Sequence, residues 1–224
     1  MNQGNLYIVA TPIGNLKDIT FRAVEILKEV NLIVCEDTRQ TKKLLDHYQI
    51  KKPLLSFHQH SSDQKISDLM NRIKGGASIA YVSDAGTPNV SDPGGKLVEA
   101  AFKEGIKAIP IPGPSALTAL VSVSGFKMDE FCFLGFIPHK KGRQKTYLKI
   151  KESKTPIVFY ESSHRIKKTL KDLSELVPDR EMIVGRELTK MFETLYRGEV
   201  TYLNSIFEKE DKVKGELAVI IDAA

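Results

Sequence analysis

The sequence is 224 residues long, enough for one large domain or two small ones. An apolar share of 42% supports a real core, and the charged residues are spread along the chain, which excludes a long disordered tract. The net charge of +5 and a pI of about 9.0 suit a polyanionic partner such as RNA, although charge speaks to association and not to fold.

The elements alternate. Leu6 to Ala10 is expected as a buried strand, with Thr11-Pro12-Ile13-Gly14-Asn15 as the loop after it. Phe21 to Val30 has helical spacing, with Thr20 as N-cap. Leu32 to Cys35 reads as a strand, Thr38 to His47 as a helix, Leu54 to Phe57 as a strand, Ser62 to Ile73 as a helix and Ser78 to Val82 as a strand. Asp92-Pro93 has the cap-then-proline order of a helix start, so capping accounts for Asp92; that helix runs to about Lys103, before a strand from Ala108 to Ile111. A small-residue helix covers Ser115 to about Val123, after a cluster formed by Pro110, Pro112, Gly113 and Pro114. Beyond it come an aromatic strand (Phe131 to Phe136), a very basic helix (Gly142 to Lys151), a strand (Pro156 to Tyr160), a helix (His164 to Leu176), a strand (Glu181 to Arg186) and a last strand (Leu217 to Ile221). The pattern predicts two α/β domains, residues 1–114 and 115–224, each a sheet covered by helices.

Open α/β sheets bind ligands beyond the carboxyl ends of their strands, and polar turn residues crowd five such ends. They are Ala10 to Asn15, Glu36-Asp37-Thr38-Arg39, Ser83 to Pro88, Pro112 to Ala116 and Tyr160 to Arg165. Asp84 can accept hydrogen bonds from a ligand amine or hydroxyl, and Gly86 allows close backbone approach. A plain turn uses the same residue types, so neither feature decides alone. No dinucleotide-binding or P-loop glycine pattern occurs. Cys35 and Cys132 form no CxxC pair, and the five histidines (His47, His58, His60, His139, His164) lack metal-ligand spacing, so no metal is expected. Lone thiols in apolar runs fit a reducing compartment. The chain opens without a basic region and apolar stretch, and no apolar run approaches the ~20 residues of a membrane helix, so a cytoplasmic protein is expected. His139 to Lys145 holds four lysines or arginines, Lys140, Lys141, Arg143 and Lys145, which either grip phosphates or form a solvated helix face.

Taken together, YIVATPIGNLKDIT, CEDTRQT, YVSDAGTPNVSDPG, IPGPSA, FLGFIPHKKG, FYESSHR and GRELTKMFE resemble the ribosomal RNA small subunit methyltransferase I family, within the tetrapyrrole methylase superfamily. The likeness runs in order from about Leu6 to Asp222. It implies two α/β domains with S-adenosyl-L-methionine bound in the cleft between them, and 2′-O-methylation of a cytidine ribose in the decoding region of small-subunit (16S) ribosomal RNA, free or in the assembled subunit. It also implies a homodimer, and a small helical segment beyond the point where this sequence stops, Ala224. Carried over by motif, the donor site comprises Thr11, Pro12, Gly14, Asp84, Ala85, Gly86, Thr87, Ser115 and Ala116. In the second domain Phe159, Tyr160 and Glu161 match one wall, and Glu187 and Leu188 another.

A ribose hydroxyl is a poor nucleophile while protonated, so a base or acceptor is required. Asp37, Glu36 and Glu161 are candidates, with Arg39 and Lys190 as orienting groups; the four basic residues of the 139–145 segment are expected to hold RNA. Two alternatives remain: a corrin-type tetrapyrrole methyltransferase on the same fold, and a non-catalytic RNA-binding module.

Overall fold

A computed structural model describes residues 3–58 and 61–224. The chain divides into two compact units, Met1–Ser115 and Ala116–Ala224.

The first unit contains β1 (Leu6–Val9), α1 (Phe21–Glu29), β2 (Leu32–Cys35), α2 (Thr38–His47), β3 (Leu54–Ser56), α3 (Asp63–Lys74), β4 (Ile79–Val82), α4 (Gly95–Lys103) and β5 (Ala108–Ile111). Local chemistry starts the helices where short polar side chains can satisfy free amides. Thr20 Oγ1 accepts from the Ala23 N–H at 3.1 Å, and Asp37 Oδ1 from the Arg39 N–H at 2.8 Å, each such cap stabilising by about 1 kcal/mol. All strands pair in parallel, in the order β3-β2-β4-β1-β5.

Side chains alternate across the strands, so two cores form. Leu6, Val34, Ile79 and Tyr81 join Leu69, Met70 and Ile73 of α3 and Leu97 and Ala101 of α4 on one face. Val9, Ile33, Cys35, Ala80 and Val82 join Ala23 and Leu27 of α1 and Leu45 of α2 on the other. From β1 the chain moves to β2 in one direction along the sheet; from β4 it moves to β5 in the opposite direction. The loops leaving the adjacent strands β1 and β4 therefore diverge to opposite faces. That switch in direction is where a parallel sheet leaves a crevice at its carboxyl ends.

Asp92 does not cap α4. The residue before that helix is Gly94, at φ 131° and with no capping side chain. A Cβ there would fall 2.4 Å from Tyr81 Cε1, and the Tyr81 hydroxyl donates to the Pro93 carbonyl at 2.7 Å, so the turn closes on glycine and Asp92 is displaced from the capping position.

The second unit contains α5 (Ala116–Ser124), β6 (Cys132–Phe136), α6 (Arg143–Glu152), β7 (Ile157–Ser162), α7 (Ile166–Leu176), β8 (Glu181–Arg186), β9 (Thr194–Glu199), α8 (Val200–Glu208) and β10 (Glu216–Ile221). Its sheet is mixed, in the order β6-β7-β10-β8-β9, with β6 parallel to β7 and the other pairs antiparallel. Ile157, Phe159, Met182, Val184, Leu217, Val219 and Ile221 form one core face with α6, α7 and α8.

β9 and α8 were not expected from the sequence. β9 is an edge strand whose most apolar position, Leu195, is 43% exposed, so its hydrophobic alternation is out of phase with its buried side. α8 follows β9 with no loop between them and no capping side chain. Neither carries the punctuation by which elements are recognised.

Candidate active site at the strand ends of the first unit

The loops after β1, β4 and β5 are tied into one ledge. Thr11 and Gly86 exchange both backbone hydrogen bonds, each at 2.9 Å. Thr11 Oγ1 donates to the Ser83 carbonyl, and Thr87 Oγ1 to the Pro114 carbonyl, both at 3.1 Å. Gly86 stands at φ 79°, a conformation glycine adopts without penalty. A Cβ on Gly113 would come 3.1 Å from that of Ala10, so glycine is what lets the β5 loop approach the end of β1. Thr11 is buried, Pro12 half-buried and Gly14 exposed; Asp84 and Ala85 are exposed. Ser115 closes the first unit, and Ala116 opens α5 in the second.

Beside this ledge lies a group of carboxylates. Asp84 Oδ1 accepts from the Asp37 backbone N–H at 3.0 Å, linking the loops after β2 and β4, which are neighbours in the sheet. Glu36 is half-buried, and its Oε1 is enclosed with no hydrogen-bond partner. Burial, with the charges of Asp92 and Asp84, pushes the Glu36 carboxyl up to about 7, although the Asp84 backbone amide pulls the other way. Burial and the charge of Asp84 raise Asp92 to about 6, against a hydrogen bond with the Ser83 side chain. Among the described residues no lysine or arginine forms an ion pair with Glu36, Asp84 or Asp92. Asp37 is different. Arg39 Nη2 donates to its Oδ2 at 2.7 Å and Arg39 Nε to its Oδ1 at 3.0 Å, which holds the carboxyl down at about 2. A carboxylate so occupied is a cap and an ion-pair partner, and a weak base.

A cavity of about 430 Å³ opens near this group, lined by Phe57, His58 and Ser91 to Lys96, with Asp92 in its wall. Of the other histidines, His60 lies outside the described residues. Among those described, no group of three or more His, Cys, Asp or Glu side chains is arranged to hold a metal ion. No helix among them is long and apolar enough to cross a membrane.

The second-unit residues are distributed differently from the expectation. Phe159, Tyr160 and Glu161 cannot share one wall, because consecutive strand residues face opposite sides. Phe159 is fully buried in the core and Glu161 is 1% exposed on that same side. Tyr160 faces the other way, its ring edge-on to Phe133 and Phe136 at 5.1 and 5.5 Å. Glu161 is also excluded as a base by its partners. Its Oε1 accepts from the Ser162 N–H at 2.8 Å and pairs with Arg165 Nη2 at 2.6 Å, while Thr169 Oγ1 donates to Oε2 at 2.7 Å. Arg143 does not share the exposed surface of the lysines beside it in sequence. It is 7% exposed, donates to Thr169 Oγ1 at 2.9 Å, and lies 3.5 Å from Asp172. Lys140, Lys141 and Lys145 are exposed. Glu187 and Leu188 form the turn after β8, and Lys190 Nζ is held there by Glu187 Oε1 at 2.9 Å and Glu216 Oε2 at 2.8 Å. Asp92 is the acidic residue that sequence reasoning missed. The glycine pair after it, which moves the helix start downstream, was the signal.

The first unit is a doubly wound parallel sheet of the α/β ligand-binding class, with carboxylates at the ends of its neighbouring strands β2 and β4. The family described as Tetrapyrrole (Corrin/Porphyrin) Methylases matches residues 5–204, which places the chain in that superfamily. The ribosomal RNA small subunit methyltransferase I of Thermotoga maritima is 48% identical, over 97% of this chain and 98% of its own. The proteins of the same name from Halalkalibacterium halodurans and Bacillus subtilis are 45% and 42% identical, over 99% and 100% of this chain and 76% of each of theirs. The chain belongs to the ribosomal RNA small subunit methyltransferase I family. Among solved structures, a diphthine synthase superposes with a TM-score of 0.76 at 15% identity, covering 98% of this chain and 90% of that one. A cobalt precorrin-4 methyltransferase gives 0.71 at 16%, covering 97% and 94%. At such identities these neighbours speak for the fold alone.

Proposed function

We propose that the chain is a cytoplasmic, homodimeric S-adenosyl-L-methionine-dependent methyltransferase that modifies the ribose 2′-hydroxyl of a cytidine in the decoding region of small-subunit ribosomal RNA. The names of its relatives support RNA as the substrate. The observation that carries the catalytic reading is the carboxylate group at the switch point of the first sheet. Glu36, Asp84 and Asp92 form no close ion pair among the described residues, and the buried Glu36 Oε1 has no hydrogen-bond partner. A lining rich in carboxylates fits a donor that carries an ammonium and a sulfonium.

When bound, S-adenosyl-L-methionine supplies an electrophilic methyl group, leaving the protein to align and activate the acceptor. The ledge of Thr11, Pro12, Gly14, Ala85, Gly86 and Thr87 would hold it, with Ser115 and Ala116 at the end of the β5 loop. Asp84 has a second carboxylate oxygen beside the one that binds the Asp37 amide, and that oxygen would receive a donor hydroxyl or ammonium. Glu36 would accept the proton of the ribose hydroxyl. Its pKa near neutrality is what a general base requires, whereas the depressed Asp37 is a poor one. Arg39 keeps Asp37 fixed as the cap of α2. Lys140, Lys141 and Lys145 hold the RNA backbone without reading sequence.

Two measurements follow. Ribosomal RNA incubated with the enzyme and donor should carry one additional ribose methyl, mapped by mass spectrometry. Its absence, or methyl transfer to a corrin precursor in its place, would overturn the substrate assignment, and absence of any thermal stabilisation by the donor would mark a non-catalytic RNA-binding module. Asp84→Ala should weaken donor binding in a calorimetric titration by about 10–100-fold, the equivalent of about 1.5–3 kcal/mol for a charge-assisted hydrogen bond. Unchanged affinity would leave that loop as a turn and nothing more.

A further inference from the structure

α6 buries Arg143, Tyr147 and Ile150 and presents the rest of its surface to solvent. Lys145 and Lys149 lie one turn apart in the helix, about 6 Å along its axis, and Lys141 precedes the helix across Gly142, where the chain turns at φ 91°. All three are exposed, as is Lys140 beside them. None of these four ammonium groups forms an ion pair or side-chain hydrogen bond among the described residues, whereas Lys74, Lys103, Lys168 and Lys190 each find a carboxylate. Lys145 opposes the stability of its own helix. It repels Lys149 four residues on, and near the helix N-terminus it faces the positive end of the dipole, whereas Lys149 in the last turn is favoured by that dipole. The N-cap, Gly142, offers no side chain to offset this.

The platform beneath these lysines is tied together by hydrogen bonds and an ion pair. Arg143 Nη1 donates to the Pro138 carbonyl at 3.4 Å, and Arg165 Nη1 to the Ile137 carbonyl at 2.9 Å. Both guanidinium groups are gathered by the buried Glu161, Arg165 directly and Arg143 through Thr169. The segment carrying Lys140 and Lys141 is therefore fastened to the core of the second unit by its own backbone.

We propose that Lys141, Lys145 and Lys149, with Lys140, form the track that binds consecutive phosphates of one RNA strand, and that Arg143 is its anchor and makes no contact with RNA. The inference rests on the rRNA reading above and adds the register of contact. Charge complementarity selects the occupant: four unpaired ammonium groups clustered on and just ahead of α6 neutralise a regular polyanion, and lysine, as a point charge, tracks backbone without discriminating bases.

The test compares two triple variants of equal charge loss, Lys141→Gln/Lys145→Gln/Lys149→Gln and Lys28→Gln/Lys51→Gln/Lys107→Gln. In the second set Lys28 lies in the last turn of α1, and Lys51 and Lys107 precede β3 and β5. The probe is small-subunit ribosomal RNA transcribed in vitro, titrated at several salt concentrations. The first variant should lower the slope of log affinity against log salt by about 2, because each phosphate contact contributes about 0.7–0.9. It should raise KM for RNA while leaving kcat at saturating RNA and donor affinity unchanged. The control triple should keep the full slope. An unaltered slope in the first variant, or an equal loss in both, overturns the track. If the unaltered chain methylates the RNA in either of those cases, the proposed function survives. If it neither binds nor methylates the RNA, both fall.

Discussion

Glu36→Gln should produce a protein that is far less active than the unaltered chain and, at about pH 8, more stable. A positioned base contributes about 10²–10⁴ to rate, and the amide cannot take the hydroxyl proton, so kcat with saturating donor and RNA should fall by that factor. Stability should move the other way because the carboxyl is raised to about 7 by burial and by the charges of Asp92 and Asp84. The folded state holds this proton more tightly than the unfolded chain does. Its contribution is therefore fully present below about pH 4.5 and is lost as pH rises through about 7. Asp92, raised to about 6, loses stability in the same sense at slightly lower pH. Urea denaturation between about pH 4.5 and 8 should show the variant matching the unaltered chain in acid and exceeding it in base by on the order of 2 kcal/mol, less than the whole shift implies because Glu36 still meets water. Activity within about threefold of the unaltered chain would remove Glu36 as the base. Parallel stability curves at every pH would remove the carboxylate group itself.

The second large effect concerns the interior of the second unit. Glu161→Leu should lower stability by about 3–5 kcal/mol, since breaking a buried ion pair from one side leaves the other charge uncompensated. Arg165 and Arg143 would remain with side chains 21% and 8% exposed, one without its 2.6 Å partner and both without the acceptor that Thr169 shares. For a chain of this length the melting temperature should drop by roughly 10 °C. Arg143→Ala should destabilise through the same network, which distinguishes it from the surface lysines beside it in sequence. A Glu161→Leu melting temperature within a degree or two of the unaltered chain would show that the network contributes little to holding the segment ahead of α6.

These two glutamates show how far residue types alone could be read. Both follow apolar strand segments, Leu32–Cys35 and Ile157–Tyr160, and both were candidates for the same proton transfer. Their environments separate them. Glu36 lies past the end of its strand among other carboxylates, whereas Glu161 lies within β7, on the core side, among cations and a hydroxyl. Arg143 and Lys145 make the same point, being two residues apart on one basic helix and yet on its buried and exposed faces.

Local chemistry settles whatever depends on neighbours in the chain. Strand and helix periodicity, the Thr20 cap, the order of the elements other than β9 and α8, and the linked motifs that mark the family all rest on short-range preferences that do not need the fold to be read. Tertiary structure settles whatever depends on residues far apart in sequence: the turning of Asp92 away from α4, the bond between Asp84 and the Asp37 amide, the edge pairing of β9, and which charges find partners. The physical reason is that a side chain's pKa and availability are set by desolvation and by nearby charges, and those are supplied by the packing of separate segments.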